Sequence, residues 1–445
     1  MRLFIWLIVL LSMLTGQVSA SATLSEYIEA RKLYMAAGAC MASYSNRAGS
    51  LAIAAFEQEG WRVEPFRISG EKADSRYLLA WDINSALDRD VYILAVAGTE
   101  NVRDVKVDLR SRKVYFAGKT LEEFSANAER KDLPPDVPRV HEGFNQATQL
   151  LLTAQTAQSN DHHPVGARFL SSILQEDKQD KVYLVGHSMG GAVVTLVAAR
   201  LMDMGVNPEQ IEVITFGAPA VGNEAFEKAY DEKFRVTRIV APEDPVPIAL
   251  RKVFGGYRHI GSELRWPLPE PLKSYFTHNA PVYLDLATRN YYAKRRRAIN
   301  EGVLAAVQPV DGKPRLYVAA IKNNLPPALR TEVPFMQEAL WDEYESLFPG
   351  IVRDPGDGAA ESDLAKAAAA GCELLVTPEI QATRVRDENT WYVSLNQTVY
   401  RVADGKVINV GIYGSNTKEL TPLISLINNA RLMGRESGAW LQEAK

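Results

Sequence analysis

The sequence predicts an α/β protein with a mostly parallel central sheet covered on both faces and a smaller C-terminal α/β unit. Three observations carry that expectation. Apolar strand-like runs at 91–96, 181–185, 211–216 and 234–240 alternate with helical patterns, the order that builds a parallel sheet. Residues 190–204 form a small-residue helix that is apolar on nearly every side, as a helix buried on a sheet must be. Beyond the Pro/Gly-containing stretch Gln308-Pro309-Val310-Asp311-Gly312-Lys313-Pro314, a fresh series of strands and helices begins.

Taken in order, residues 2–20 carry an export signal: Arg2, an apolar run at 3–14, and small residues at Val18 and Ala20 that suit cleavage after Ala20. Residues 21–55 then have a helical pattern. Segments 61–68 and 76–83 alternate as strands before the strong strand 91–96. Residues 101–138 are polar and read as loop with one helical piece at 121–129. Helical periodicity returns at 143–157 and 167–175. A helical connector at 291–312 contains the basic run Lys294-Arg295-Arg296-Arg297, read as a solvated helix face with anionic lipid as the alternative ligand. The C-terminal unit reads as strand 316–321, helices near 335–348 and 362–370, strands 373–385, 390–402 and 407–413, and helix 420–433. The expected domains are therefore 1–20 (signal peptide), 21–290, 291–312 (connector and linker) and 313–445.

Composition narrows the function. Hydrophobic residues at 47% and charged residues at 23% are ordinary for a globular protein with real cores. A net charge of −4 gives no bulk attraction to nucleic acid. Cys40 and Cys372 are the only cysteines, too few for a disulfide framework; one interdomain bridge and two buried thiols are both open. No cluster has metal-ligand spacing, so neither a metal nor a cofactor is expected.

Gly186-His187-Ser188-Met189-Gly190 joins the strand at 181–185 to the helix at 190–204, where G-x-S-x-G forms a tight turn that lifts a serine hydroxyl above the sheet. The competing reading is a turn whose serine merely caps the helix. A hydrolytic serine needs a base and an acid that orients it, in the order Ser, Asp or Glu, His. Of the six histidines, order and surroundings leave His259 and His278. Asp244, in the exit loop of strand 234–240, is the best acid, with Glu243 beside it. An oxyanion needs two converging N–H donors, expected from Met189 and from Thr99 after strand 91–96.

Together these residues resemble the class 3 (fungal-type) triacylglycerol lipase family of α/β-hydrolases. The signals are Ala97-Gly98-Thr99, Val140-His141-Glu142-Gly143-Phe144, the elbow with Gly191-Ala192, and Thr215-Phe216-Gly217-Ala218-Pro219-Ala220-Val221-Gly222. Asp244-Pro245-Val246-Pro247, Tyr257-Arg258-His259 with Glu263, and His278 with Tyr283-Leu284 complete the blocks, in the family's order over roughly 24–290. The resemblance implies Ser188 as nucleophile, Asp244 as acid, His278 as base, and Thr99 with Met189 as oxyanion donors. It also places His259 and His141 at non-catalytic positions. Two departures stand out: Ala97 where the family usually has Arg or a similar residue, and 101–110, where valines alternate with charges in place of an apolar lid. Little interfacial activation is therefore expected. Tyr115, Phe116 and Phe124 are open between acyl groove and core.

The implied function is a secreted or periplasmic serine ester hydrolase cleaving lipid or smaller acyl esters, with phospholipase A1 or another carboxylesterase as the alternative. A reading of another class is a non-catalytic envelope binding or scaffold protein that keeps a hydrolase-like domain. The C-terminal unit lies outside the resemblance and is weakly similar to small α/β modules of cell-envelope assembly proteins, implying contact with a membrane surface or an envelope protein. No histidine follows His278, so this unit is expected to be non-catalytic, and a fragment ending near Val310 to keep the chemistry.

Overall fold

A computed structural model describes residues 2–70, 73–82, 90–98, 112–153, 167–249, 255–354, 356, 362–385, 390–438 and 440. The chain divides into two compact units. The first comprises residues 35–269 and 275–284; the second comprises 1–34, 270–274 and 285–445.

The apolar runs of the first unit become a seven-stranded sheet. Its strands are β1 (Trp61–Gly70), β2 (Ala73–Asp82), β3 (Val91–Val96), β6 (Lys181–His187), β7 (Ile211–Phe216), β8 (Arg235–Val240) and β9 (Ser262–Arg265), side by side in that order. β1, β2 and β3 pair antiparallel, and β3 through β9 run parallel. The short strands β4 (Lys113–Tyr115) and β5 (Arg139–His141) form a separate antiparallel pair. β7 is buried at every residue, as a central parallel strand covered on both faces should be. The helix Met189–Asp203 is buried continuously from Gly190 to Leu201, which accounts for its lack of a polar face.

Phe116 and Phe124 are core residues, which settles their role. Each ring packs on the guanidinium of buried Arg200, 3.5 and 3.9 Å from its centre, a cation–π sandwich. Cys40 and Cys372 are both buried and both free.

In the second unit β10 (Leu316–Val318), β11 (Lys322–Asn324), β12 (Val352–Arg353), β13 (Leu374–Arg384), β14 (Trp391–Arg401) and β15 (Val407–Asn416) form one mixed sheet. β10 pairs in parallel with β12 and β13; β13, β14 and β15 follow antiparallel. Val393, Leu395 and Val399 are buried on β14 while Tyr392 is exposed, the alternation of a sheet covered on one face. The helices Val333–Leu347 and Pro422–Glu436 cover the inner face; Asn429 donates to the Val393 carbonyl and Tyr344 to Gln397.

The unit boundary falls at Asp285, inside the helix Ala280–Asn300, and not at 290 or 312. The helix carries its own reason. Arg289 reaches both Asp285 and Glu332, Thr421 donates to Asp285, and Arg295 faces Glu338, Asp342 and Glu345 at 3.1–3.7 Å. The basic run is thus largely spent inside the unit: Lys294 and Arg297 both pair with Glu26, and Arg295 is buried. Thr23 is also buried and donates to Glu301, so the segment just beyond Ala20 belongs to this packing.

Candidate active site

The elbow forms because its glycines leave room for it. A Cβ on Gly190 would lie 2.1 Å from the Val96 carbonyl oxygen, so β3 can approach the helix start only with glycine there. Ser188 sits at φ 56°, ψ −129°, a left-handed conformation that costs a non-glycine residue about 1–3 kcal/mol. The strain is held by hydrogen bonds on both sides: Ser188 N–H donates to the Phe216 carbonyl at 2.9 Å, and Gly191 N–H donates to the Ser188 carbonyl at 3.0 Å.

The serine does not cap the helix it precedes. Its side chain makes no capping bond, and its Oγ lies 2.7 Å from His278 Nε2. His278 Nδ1 lies 2.8 Å from Asp244 Oδ2. All three residues are buried, with Ser188 only 3% exposed, so water has little access to the proton path. His278 and not His259 meets the serine; His259 donates from Nε2 to the Pro247 carbonyl at 2.8 Å. His141 Nδ1 accepts from Gly143 and Phe144 N–H at 3.1 and 3.4 Å, tying down the start of the helix Glu142–Thr153. His162 and His163 lie outside the described residues.

Asp244 does two jobs at once. Its Oδ1 accepts from Val246 N–H at 2.9 Å, the local turn expected of an Asp before Pro, which fixes the carboxylate plane. Its Oδ2 serves His278 and also accepts from Tyr283 at 2.6 Å. The Tyr283 oxygen in turn accepts from Ala241 N–H at 3.2 Å. Burial, reinforced by the Asp244 carboxylate, drives the Tyr283 pKa far above the usual phenol range, so it stays a donor. Gly217, at φ 59°, makes the space: a Cβ there would stand 2.6 Å from Asp244 Oδ2 and 2.9 Å from Tyr283.

Met189 opens the helix directly after the serine. Thr99 and the 101–110 segment lie outside the described residues, so the second oxyanion donor remains a sequence expectation. Sequence reasoning missed three contributors. Tyr283 was only part of a motif, and Tyr44 was not singled out. The chain order that leaves His259 and His278 gives His187 no role. The phenyl ring of Phe276, itself 52% exposed, stands edge-on to His278 with ring centres 6.3 Å apart. Among the described residues no group of three or more His, Cys, Asp or Glu could hold a metal ion.

With this geometry in place, residues 93–253 match the family model described as Lipase (class 3). A secreted mono- and diacylglycerol lipase 2 of Gibberella zeae is 36% identical over 91 residues, 18% of this chain and 22% of that protein. Phospholipase A1 EG1 (chloroplastic/mitochondrial) of Oryza sativa subsp. indica is 33% identical over 146 residues, 29% of this chain and 32% of that protein. The chain thus spans less than a third of the length of these two relatives. Among solved structures, the triacylglyceride lipase of Rhizomucor miehei is similar at 22% identity and a TM-score of 0.39, covering 53% of this chain and 80% of that one. Residues 93–253 are thus similar to class 3 lipases, and a mostly parallel sheet is the architecture of the first unit.

Proposed function

We propose that this protein is an exported serine hydrolase of carboxylic esters, acting on acyl esters of lipids or of smaller alcohols. The observation that carries the reading is the continuous path Ser188 Oγ, His278 Nε2, His278 Nδ1, Asp244 Oδ2, with contacts of 2.7 and 2.8 Å on a strained elbow. In the reaction, Ser188 Oγ attacks the ester carbonyl as Nε2 takes its proton, and Asp244 stabilises the imidazolium and keeps its ring oriented. The tetrahedral oxyanion is held by N–H donors, for which Met189 and Thr99 are the candidates. Collapse expels the alcohol with the proton from His278. Water then attacks the acyl-enzyme by the same route and releases the acid.

The relatives named as a mono- and diacylglycerol lipase and as a phospholipase A1 support acyl esters of glycerol or of phospholipid as the substrate class. The exposed ring of Phe276 beside His278 fits an apolar acyl or alcohol group at the reaction centre. Export rests on the apolar run at 3–14 and the Val18-Ser19-Ala20 site, and sequencing the N-terminus of the mature protein tests it.

The direct test is turnover of a chromogenic short-chain ester by wild type and by Ser188→Ala. Loss of a triad member leaves about 10³–10⁴-fold residual acceleration over water, from binding and oxyanion donors alone. Ser188→Ala is therefore expected to lose nearly all turnover while melting within a few degrees of wild type. Wild-type rates in a folded Ser188→Ala variant would remove the assignment.

A further inference from the structure

A chain of hydrogen bonds that the triad does not require runs behind the catalytic histidine. His187 Nε2 lies 2.9 Å from the main-chain oxygen of His278, and His187 Nδ1 lies 2.7 Å from the Tyr44 hydroxyl. The same Tyr44 oxygen lies 2.9 Å from Gly98 N. Every direction in the chain is fixed by chemistry. A carbonyl oxygen only accepts, so His187 Nε2 carries hydrogen. Complete burial, with the neighbouring His278 adding to it, holds His187 well below the usual imidazole range, so the ring is neutral and Nδ1 is a bare acceptor. Tyr44 must then donate its hydroxyl hydrogen to Nδ1, which leaves its oxygen to accept from Gly98 N–H.

The four residues come from four segments of the first unit. Tyr44 follows the end of the helix Arg2–Ala42, Gly98 leaves β3, His187 ends β6 beside the nucleophile, and His278 precedes the helix Ala280–Asn300. Tyr44 stands 143 positions from His187, and His187 stands 91 from His278, so local structure does not hold these groups together. His278 lies in a turn outside any helix or strand, and its main-chain oxygen is tethered by His187.

We propose that Tyr44 and His187 are positioning residues. Their neutral relay holds the backbone of His278 at the height where Nε2 meets Ser188 Oγ, and ties that height to the backbone leaving β3. Neither residue touches the reacting atoms in this role. The inference rests on the ester hydrolase reading above. It adds two residues whose effect is on kcat and not on substrate binding, since a displaced base weakens proton transfer in the transition state. Misplacement of a catalytic group by 1 Å costs up to about 10²-fold.

The test compares Tyr44→Phe, His187→Leu and His187→Gln in the full-length protein. kcat is expressed per active site, titrated with a fluorophosphonate that labels Ser188. Glutamine can still donate to the His278 carbonyl, whereas leucine fills similar volume and donates nothing. Tyr44→Phe and His187→Leu are expected to lose about 10–100-fold in kcat per titrated site with KM within about twofold of wild type. His187→Gln is expected to recover most of that loss. The proposal is overturned if kcat per titrated site is unchanged and only the titratable fraction or the melting temperature falls. It is equally overturned if KM alone rises, or if the leucine and glutamine variants behave alike. Failure of the hydrolase reading itself looks different: wild type would then neither turn over ester nor label at Ser188.

Discussion

In the first unit the buried carboxylate of Asp244 faces a histidine, a tyrosine hydroxyl and a backbone N–H. In the second, the buried carboxylates of Asp285 and Glu332 share Arg289, with the Thr421 hydroxyl on Asp285. Both arrangements satisfy acids that burial would otherwise penalise, yet only the first sets an imidazole between its acid and a serine hydroxyl. An imidazole accepts and returns hydrogen near neutral pH, while a guanidinium holds its protons throughout. The backbone tells the same story. Among the described residues, the non-glycine positions with positive φ are Ser188 and Glu232, both in the first unit. Positive-φ backbone and a buried imidazole mark the first unit, as the proposed ester hydrolysis requires. A permanent cation between two acids marks the unit built to hold together, and that unit contains no histidine at all.

The sharpest way to break this comparison is to remove the labile base. His278→Ala is expected to lose at least about 10³-fold in kcat/KM, as triad removal does, whereas His259→Ala should stay within about fivefold of wild type. His259 bonds the Pro247 carbonyl and not Ser188, so its loss is read in stability. Kinetics on both variants, with melting curves to show they are folded, decide the matter. Reversed losses would move the base to His259.

A second break is made by cutting the chain. The linker at 308–314 invites truncation near Val310, and the sequence alone argued that such a fragment keeps the chemistry. The packing argues for a cost. Residues 285–300 belong to the second unit, and removing everything past 310 strips Glu332 from Arg289, Thr421 from Asp285, and all three acids from Arg295. Breaking one buried pair costs about 3–5 kcal/mol. The fragment 21–310 is therefore expected to melt well below the full chain or to aggregate. A soluble fragment with the full chain's melting temperature would show that the helix Ala280–Asn300 does not depend on those partners.

What could be read in advance follows the range of the interactions. Strands β3 and β7 and the helix Leu121–Glu129 were legible to the residue, because periodicity and capping are local. The elbow was legible because its glycines form a fixed local pattern, although the contact that demands Gly190 comes from Val96 on β3, far along the chain. β9 was missed: Ser262–Arg265 is exposed at every residue and carries two charges, so an edge position leaves no apolar alternation to read. The break in the long N-terminal helix was also missed, although Asn46 was a visible cap and accepts from Gly49 N–H at 2.9 Å. Motif blocks point to Ser188, Asp244 and His278, which the structure brings together, but Tyr44, His187 and Tyr283 bond to partners 39 to 143 positions distant that no motif declares. The boundary of the compact units at Asp285 is hidden for a related reason. The linker is conspicuous in composition, whereas the ties of Arg289 and Arg295 are made by side chains that look like a solvated basic face.

The smallest effect probes the second unit's cluster directly, through pH. One guanidinium stands between two buried acids, and the result is a Glu332 pKa raised from its ordinary 4.5 to about 7, chiefly by burial and then by the Asp285 charge, with Arg289 opposing. The sign follows from proton counting. Between pH 4.5 and about 7 the folded state keeps a proton on Glu332 that the unfolded state has released, so stability from this residue falls as pH rises through that window and levels off above it. Glu332→Gln keeps a carbonyl oxygen to accept from Arg289 and cannot titrate. Relative to wild type, the variant is expected to gain on the order of 2–3 kcal/mol on going from pH 5 to pH 8. Denaturant unfolding of both full-length proteins at the two pH values measures that difference, and it needs no assay of activity. A difference that stays constant with pH would mean that Arg289 neutralises both acids together. The cluster would then be an ordinary satisfied network, and the contrast between the two units would rest on the histidine alone.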